Sequence, residues 1–440
     1  MASCGDRHTV LVDERGALWT FGEGAGGRLG NGFEDRFSPT LVAVSAPVAI
    51  AAAGEGHTAV ITDKGDVATC GHGAFGRLGL GDETDRAHLT RLERALFGFA
   101  RAVLVACGDS HTVVQTEDGC VWTCGWGRDG ELGHGDGLNR RVPTLVLPEH
   151  FGNKKVVFVA AGAGHSAAAS EEGHVFTWGC GLEGRLGHGD EENQLTPRMV
   201  APVHFEHSFV VLIDAGAMHS LAVTREGRLY TWGCGGQGAL GSGGTTDMLV
   251  PMPIYGEAPR AEGGAARRVY LDVLTAAAGV FHTLAVTNNG EILACGNGLH
   301  GQLGLGDRKS RLVLTRISLF DESARVVSVS AGYYHSAAIT EEGKLLMWGS
   351  SVMGQQLLPA FVDVDERIGR CRKLPCDHAL AFAMGTHDRL GQGRDVASLN
   401  CDLVKRVVDA CCTSPGGAAR QLEGVARLIG GNMLWTSSGY

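Results

Sequence analysis

The chain has 440 residues and a net charge of −10, with 38 Lys and Arg against 48 Asp and Glu. It holds no block of five or more basic residues, which excludes a nucleic-acid surface built on clustered cations. No apolar run approaches the eighteen or so residues of a membrane span, and the opening MASCGDRHTV lacks a basic-then-apolar leader.

Without a leader, the thirteen scattered cysteines read as small buried residues of a reducing compartment, cytoplasmic or nuclear. Glycine is abundant at 67 residues, about twice its usual share of roughly 7%, and calls for tight turns at regular places.

From the N-terminus, CGDRHT (4–9) leads into an apolar run, then a polar turn, then a short β-branched or aromatic run ending at GEGAGGRLG (22–30). The first motif returns as GEGHT (54–58), CGDSHT (107–112), AGAGHS (161–166), AGAMHS (215–220), AGVFHT (278–283) and AGYYHS (331–336). A degenerate LPCDHA follows at 374–379. The second motif returns as GHGAFGRLG (71–79), GWGRDGELG (125–133), GCGLEGRLG (179–187), GCGGQGALG (233–241), GNGLHGQLG (296–304) and a decayed GSSVMGQQL (349–357).

Gly71, Gly73 and Gly76 have the G-x-G-x-x-G spacing that cradles a dinucleotide pyrophosphate. That fingerprint needs a helix after it. Here seven copies recur, and the residues that follow are polar and often contain Pro39, Pro143, Pro197 or Pro251. The glycines are therefore read as turn and packing positions, with no cofactor. Runs such as VVFVAAG (156–162) and HVFTWG (174–179) bound the polar turns as short strands. Four strands per unit, repeated seven times, is the arithmetic of an all-β propeller.

Beyond about residue 385 the repeat stops. NCDLVKRVVDACC (400–412) and AARQLEGVARLIGG (418–431) have helical apolar spacing. The expected organisation is a propeller over 1–384 and a short α-helical appendage over 385–440, its apolar stripe either docked on the propeller or meeting a partner helix.

The paired signatures G-x-x-H-[ST] and W-G-x-G-x-x-G-x-L-G resemble those of the RCC1 repeat, and the resemblance implies a seven-bladed RCC1-type β-propeller. The chain starts on a His-type strand and its repeats end on a decayed one, so segments from both ends are expected to complete a shared blade. His8, His57, His111, His165, His219, His282 and His335 are expected to be buried and hydrogen-bonded between blades rather than to form a metal ring. Cys371, Cys376 and His378 fall short of the four ligands of a structural zinc site. Cys120 and Cys124 are read as sharing a strand face. Trp19, Trp122, Trp178, Trp232 and Trp348 are read as core aromatics at the W-G strand end, with Trp126 the extra one. Asp82, Asp136, Asp190 and Asp307 read as turn formers bonding their own backbone.

No nucleophile–base–orienter set stands outside the repeat, so a non-catalytic protein-interaction scaffold is the primary expectation. The resemblance implies an alternative, a guanine nucleotide exchange factor for a Ran-like small GTPase acting through loop residues beside the G-x-x-H motifs. Those pairs are Asp6-Arg7, Glu55-Gly56, Asp109-Ser110, Ala163-Gly164, Ala217-Met218, Val280-Phe281 and Tyr333-Tyr334; the first three alone are acidic. A UV-B photoreceptor role, which the resemblance associates with Trp-Arg pairs at these positions, is disfavoured because no tryptophan occupies them. Asp6, Arg7, Asp109, Arg140, Arg141, Asp307 and Arg308 are the candidate partner contacts, in the charged or variable loops. The partner is expected to be a protein, a small GTPase or a larger assembly, with neither nucleic acid nor membrane. YGEAPRAEGGAARR (255–268) is an insertion in unit five.

Overall fold

The computed structural model describes residues 1–257, 268–319, 324–351 and 354–362. The two expected C-terminal helices, LPCDHA and the Cys371, Cys376 and His378 group lie outside the described residues.

Seven antiparallel four-stranded sheets form the blades of a β-propeller, at residues 2–42, 48–91, 102–146, 156–199, 210–253, 273–316 and 326–361. In each blade the strands lie in chain order. The first strands, such as Ala2–Cys4, Val48–Ala53 and Ala102–Cys107, pack against one another around the axis. The fourth strands form the outer edge.

This order explains the composition of each strand. A second strand is covered on both faces by the neighbouring blades. His165–Ser170 (HSAAAS) and His219–Thr224 (HSLAVT) are buried at every position, so they read as continuous apolar runs rather than alternating ones. The fourth strands carry Pro39, Pro143, Pro197, Pro251 and Pro359. A proline gives an edge no N–H to offer, which discourages pairing with another chain. Pro143, Pro197, Pro251 and Pro359 are also buried, packed against Gly79, Gly133, Gly187 and Gly304 of the preceding blade.

Between blades, one-turn 3-10 segments insert an aromatic wedge. Phe151 meets Phe176 and Trp178 edge-on at 5.4 and 5.8 Å, and Phe205 meets Tyr230 and Trp232 at 5.4 and 5.9 Å. Edge-to-face contact of this kind adds roughly 0.5–1.5 kcal/mol beyond burial. The insertion in unit five is a two-stranded ribbon, Tyr255–Glu257 with Arg268–Tyr270. Tyr270 anchors it by donating its hydroxyl to Glu206, 2.8 Å away, which also holds Arg228 at 2.7 Å.

Among the described residues no blade takes strands from both ends, and the segment near His378 expected to share one lies outside them. All four strands of the first blade come from the N-terminal segment, and all four of the seventh from residues 326–361. Closure is made between blades instead. The Cys4 N–H donates to Ser330 Oγ at 2.9 Å, and His335 Nε2 meets Thr9 Oγ1 at 3.0 Å. The interface between the first and last blades repeats the chemistry of the others, so no strand exchange is needed to seal it.

Candidate functional site: the rim of the upper face

The first-to-second and third-to-fourth strand turns of every blade lie at the same end, here called the upper face. The G-x-x-H motif forms the inner turn and G-x-G-x-x-G the outer one. Most motif side chains on this face are used up in building the ring.

The seven histidines form a closed belt. Nε2 of His8, His57, His111, His165, His219 and His282 meets the hydroxyl of Thr58, Thr112, Ser166, Ser220, Thr283 and Ser336 in the next blade at 2.8–2.9 Å, and His335 reaches Thr9 at 3.0 Å. Six of these hydroxyls donate their own proton to a backbone carbonyl of the preceding blade, of Arg28, Arg77, Glu131, Arg185, Ala239 or Gln302. The hydroxyl must then accept, so Nε2 carries the imidazole proton and Nδ1 is bare.

No hydrogen-bond partner faces Nδ1 in the first six histidines. Burial, which disfavours the imidazolium, pushes His111, His219 and His335 down to about 4 and His8 and His282 to about 3. His57 and His165 are held well below the usual histidine range for the same first reason. The described residues contain no cluster of three or more His, Cys, Asp or Glu suited to a metal ion.

The glycines serve close approach. A Cβ on Gly71, at φ 112°, would lie 2.5 Å from the Gly56 carbonyl oxygen and from His57 Cα. One on Gly76, at φ 83°, would lie 2.5 Å from Arg141 Cα of the next blade, and one on Gly73 would run into the Thr84 carbonyl. No phosphate cradle has room to form where these backbones touch.

The buried cysteines have a matching explanation. Trp178 and Trp348 donate their indole N–H to the Glu131 and Gln302 carbonyls at 2.8 Å. At the same strand end, Cys70, Cys124 and Cys295 turn their thiols to the Arg28, Arg77 and Ala239 carbonyls at 3.5–3.7 Å. Burial pushes these thiols up to about 12, so they remain protonated. Cys120 precedes the strand Val121–Gly125 that holds Cys124, so the two do not share a strand face. Trp19 and Trp122 stand three residues before the strand ends at Gly22 and Gly125 and bond within their own blade, to Asp13 and Thr116.

What remains is the variable pair of each G-x-x-H turn. The N–H groups of Asp6, Glu55, Ala163 and Val280 bond the glycine carbonyl of the next blade at 3.2–3.4 Å, which fixes these turns side by side around the axis. From outside, Arg28, Arg77 and Arg185 reach across a blade boundary. Each donates Nε to a carbonyl of its own turn and Nη1 to the carbonyl of Glu55, Asp109 or Ala217 at 2.7–3.1 Å. These arginines were not singled out from the sequence, although the recurring G-R-L-G carries them.

Blade 3 has Glu131 at the arginine position. It is 2% exposed, and burial pushes its carboxyl up to about 7. Blade 6 has Gln302 there, fully buried, with Oε1 accepting from the His300 N–H and Nε2 without a partner.

The rim is chemically divided. Over blades 1–3 it presents Asp6, Glu55 and Asp109. Burial raises Asp109 to about 6, with help from Glu55 and Asp6 and against the pull of Arg77 and Arg185. Over blades 4–7 it presents Ala163, Ala217, Met218, Val280, Phe281, Tyr333 and Tyr334, all partly exposed. The two halves share one neighbourhood: the Tyr333 hydroxyl is raised first by its bond to Tyr334, then by burial, and further by the charges of Asp6 and Asp109. Farther out, Phe75 and Trp126 stack edge-on at 4.6 Å, with Arg128 over the indole at 5.2 Å. Phe75 holds φ 64°, a left-handed turn position that Gly26, Glu183 and Gln237 also occupy at φ 70°, 61° and 59°, so the conformation belongs to the repeat.

Of the candidate contacts, Asp6, Arg7 and Asp109 lie at this rim. Arg140 and Arg141 lie farther out, where the fourth strand of blade 3 begins, paired with Asp136 and Glu83. Asp307 accepts the Lys309 N–H and pairs with Arg311 at 2.8 Å, and the exposed Arg308 shares that loop. Asp82, Asp136 and Asp190 likewise accept the N–H two residues on.

A ring whose repeated side chains close it, and whose unrepeated ones gather at one rim, defines a repeat-built β-propeller. The profile of the RCC1-like domain matches residues 1–211 and 101–415, and the chain belongs to that family. It is 31% identical over 370 residues to the Arabidopsis thaliana RCC1 domain-containing protein RUG3, mitochondrial, covering 82% of this chain and 67% of that protein. It is 36% identical over 276 residues to the Arabidopsis ultraviolet-B receptor UVR8, covering 62% of this chain and 59% of the receptor. A match of 34% to the human E3 ubiquitin-protein ligase HERC2 covers 58% of this chain and 5% of that protein. The chain thus spans less than two thirds of the receptor and a small part of the ligase. Among solved structures, human WBSCR16 aligns with TM-score 0.67 at 25% identity, over 77% of this chain and 86% of that one. Yeast Prp20p, studied for binding to Gsp1p and histones, aligns with TM-score 0.67 at 21% identity, over 86% and 97%. No helix among the described residues is long and apolar enough to cross a membrane.

Proposed function

We propose that this protein is a non-catalytic interaction module that receives a protein partner on the upper rim. One observation carries the reading. The belt histidines, their hydroxyls and the close-contact glycines are all engaged within the ring, whereas the pairs between them differ in every blade and remain accessible. Constant scaffold and varied rim is the division expected of a binding platform. The reading places the protein inside the cell, where its buried thiols stay reduced.

The test compares affinity capture by the wild type with capture by Trp126→Ala and Tyr334→Ala variants whose thermal midpoints are unchanged. A protein bound by the wild type and lost by both variants supports the rim. A partner retained by both removes it.

The second reading is an exchange factor for a small GTPase, favoured by the acidic side chains Asp6, Glu55 and Asp109 on three consecutive blades. Carboxylates beside a bound nucleotide can compete for its magnesium ion and disfavour its phosphates. Nucleotide release measured across a panel of small GTPases decides it: acceleration that disappears in Asp109→Asn establishes exchange, and an unchanged rate across the panel leaves the interaction module. A UV-B role has less support, because the inner pairs hold no tryptophan and, among the described residues, only Trp126 stands near the rim.

A further inference from the structure

We infer that the divided rim recognises a short peptide segment of a protein partner in which a lysine or arginine stands beside an aromatic or aliphatic side chain. The inference rests on the rim being the partner surface, and it names what that surface reads.

The acidic half has unmet demand for a cation. The Asp109 carboxylate has no hydrogen bond or ion pair among the described residues, and Asp6 Oδ1 is buried without a hydrogen-bond partner. The nearby arginines cannot turn to neutralise them. Arg28 and Arg77 are 7% and 6% exposed, donate to carbonyls, and pair at 3.8 Å with Glu23 and Glu55 rather than with Asp6 or Asp109. Arg7 is the movable cation. Its side chain is 59% exposed and stands 3.7 Å from Asp6 and 3.6 Å from Glu23. Pairs that long and that exposed contribute little, so an incoming guanidinium or ammonium can replace Arg7 at small cost. Carboxylates that are partly withdrawn from water and crowded by like charge gain most from a cation brought to them.

The other half suits the neighbouring side chain. Phe281 meets Tyr333 edge-on at 5.9 Å, Tyr333 lies 4.1 Å from Tyr334, and Tyr334 lies 4.3 Å from His300. Beneath them, Gln302 is completely buried with its Nε2 unpartnered. In blades 1, 2 and 4 an arginine from this position bonds the carbonyl of the next variable pair. The shorter amide leaves a donor unspent under the aromatic arc, where a peptide carbonyl or its bridging water would satisfy it. Aromatic rings also receive cations on their faces, which keeps a basic residue acceptable across the boundary between the halves. An anionic ligand would meet Asp6, Glu55 and Asp109 with repulsion.

The experiment selects displayed random peptides of about twelve residues on the full chain, then measures synthetic copies by fluorescence anisotropy. The expected peptides carry Lys or Arg adjacent to an aromatic or aliphatic residue. Asp109→Asn should weaken them by about tenfold, since a charge-assisted contact is lost, and Arg7→Ala should tighten them about threefold, because the competing cation is gone. The sign of the Arg7 effect separates a cationic ligand from an anionic one. Peptides without a basic residue that still lose binding in Tyr334→Ala overturn the inference and leave the rim as the partner surface. Peptides indifferent to Asp109→Asn, Arg7→Ala and Tyr334→Ala overturn both. Failure to select any peptide also overturns the inference.

Discussion

The histidine belt and the rim above it lie one or two residues apart in sequence and follow opposite rules. Six of the seven belt positions repeat one chemistry, imidazole to hydroxyl to carbonyl, and the seventh keeps its imidazole-to-hydroxyl step, because every rung must satisfy the same buried geometry. Each rim pair differs from the next, because its side chains face away from the blade contacts and only its backbone is constrained. A charge such as Asp109 is tolerated at the rim, where a charged imidazole one strand deeper would break the ring.

The largest way to test this contrast is to remove a rung. His165→Ala deletes a fully buried imidazole and strips Ser220 of its donor. The lost packing and hydrogen bond should cost about 2–4 kcal/mol, read as a lower urea midpoint. Met218→Ala at the rim should cost less than about 1 kcal/mol. Equal losses would mean that the belt is no more structural than the rim.

The second test is pH. The belt histidines bind protons less readily in the fold than the ordinary value of 6.5. Their contribution is therefore complete above pH 6.5 and is lost as pH falls toward about 4 and then 3. Glu131 runs the other way. Its carboxyl is raised from 4.5 to about 7, so the fold favours the neutral form, and that contribution is lost as pH rises through 7. Glu131→Gln imitates the neutral acid and copies the residue that blade 6 already uses. It should stabilise by roughly 2 kcal/mol at pH 8 and have little effect at pH 4.5. A loss of stability at pH 8 would show that the carboxylate is needed in its charged form.

Much of this was legible in the sequence, because the constraint repeats. Seven copies of G-x-x-H at a near-constant interval announce seven equivalent environments, and a histidine always followed by Thr or Ser announces its inter-blade partner type. Closure was not legible. Seven complete units can be sealed by exchanging a strand or by repeating the standard contact, and Cys4 to Ser330 shows the second only once the coordinates place them. The roles of Cys70, Cys124 and Cys295 were also hidden, since a thiol standing in for an indole N–H shows no pattern in spacing alone. The paired halves of the rim needed the ring itself: Asp6, Asp109 and Tyr333 are far apart in sequence and become neighbours because three blades bring their inner turns to one axis.

The smallest expected effect lies at the outer edge, and it bounds how far the rim extends. Arg140 pairs with Asp136, and Arg141 lies 2.9 Å from Glu83 of the preceding blade. Both pairs are solvent-facing, so Arg140→Ala and Arg141→Ala should each change stability by less than about 0.5 kcal/mol. Their distance from the axis gives a second expectation. If the partner is read by the inner turns alone, these variants bind the selected peptides as the wild type does. A loss in either one would carry the contact surface outward along blade 3, past Trp126, and the partner would then be covering a blade as well as the axis.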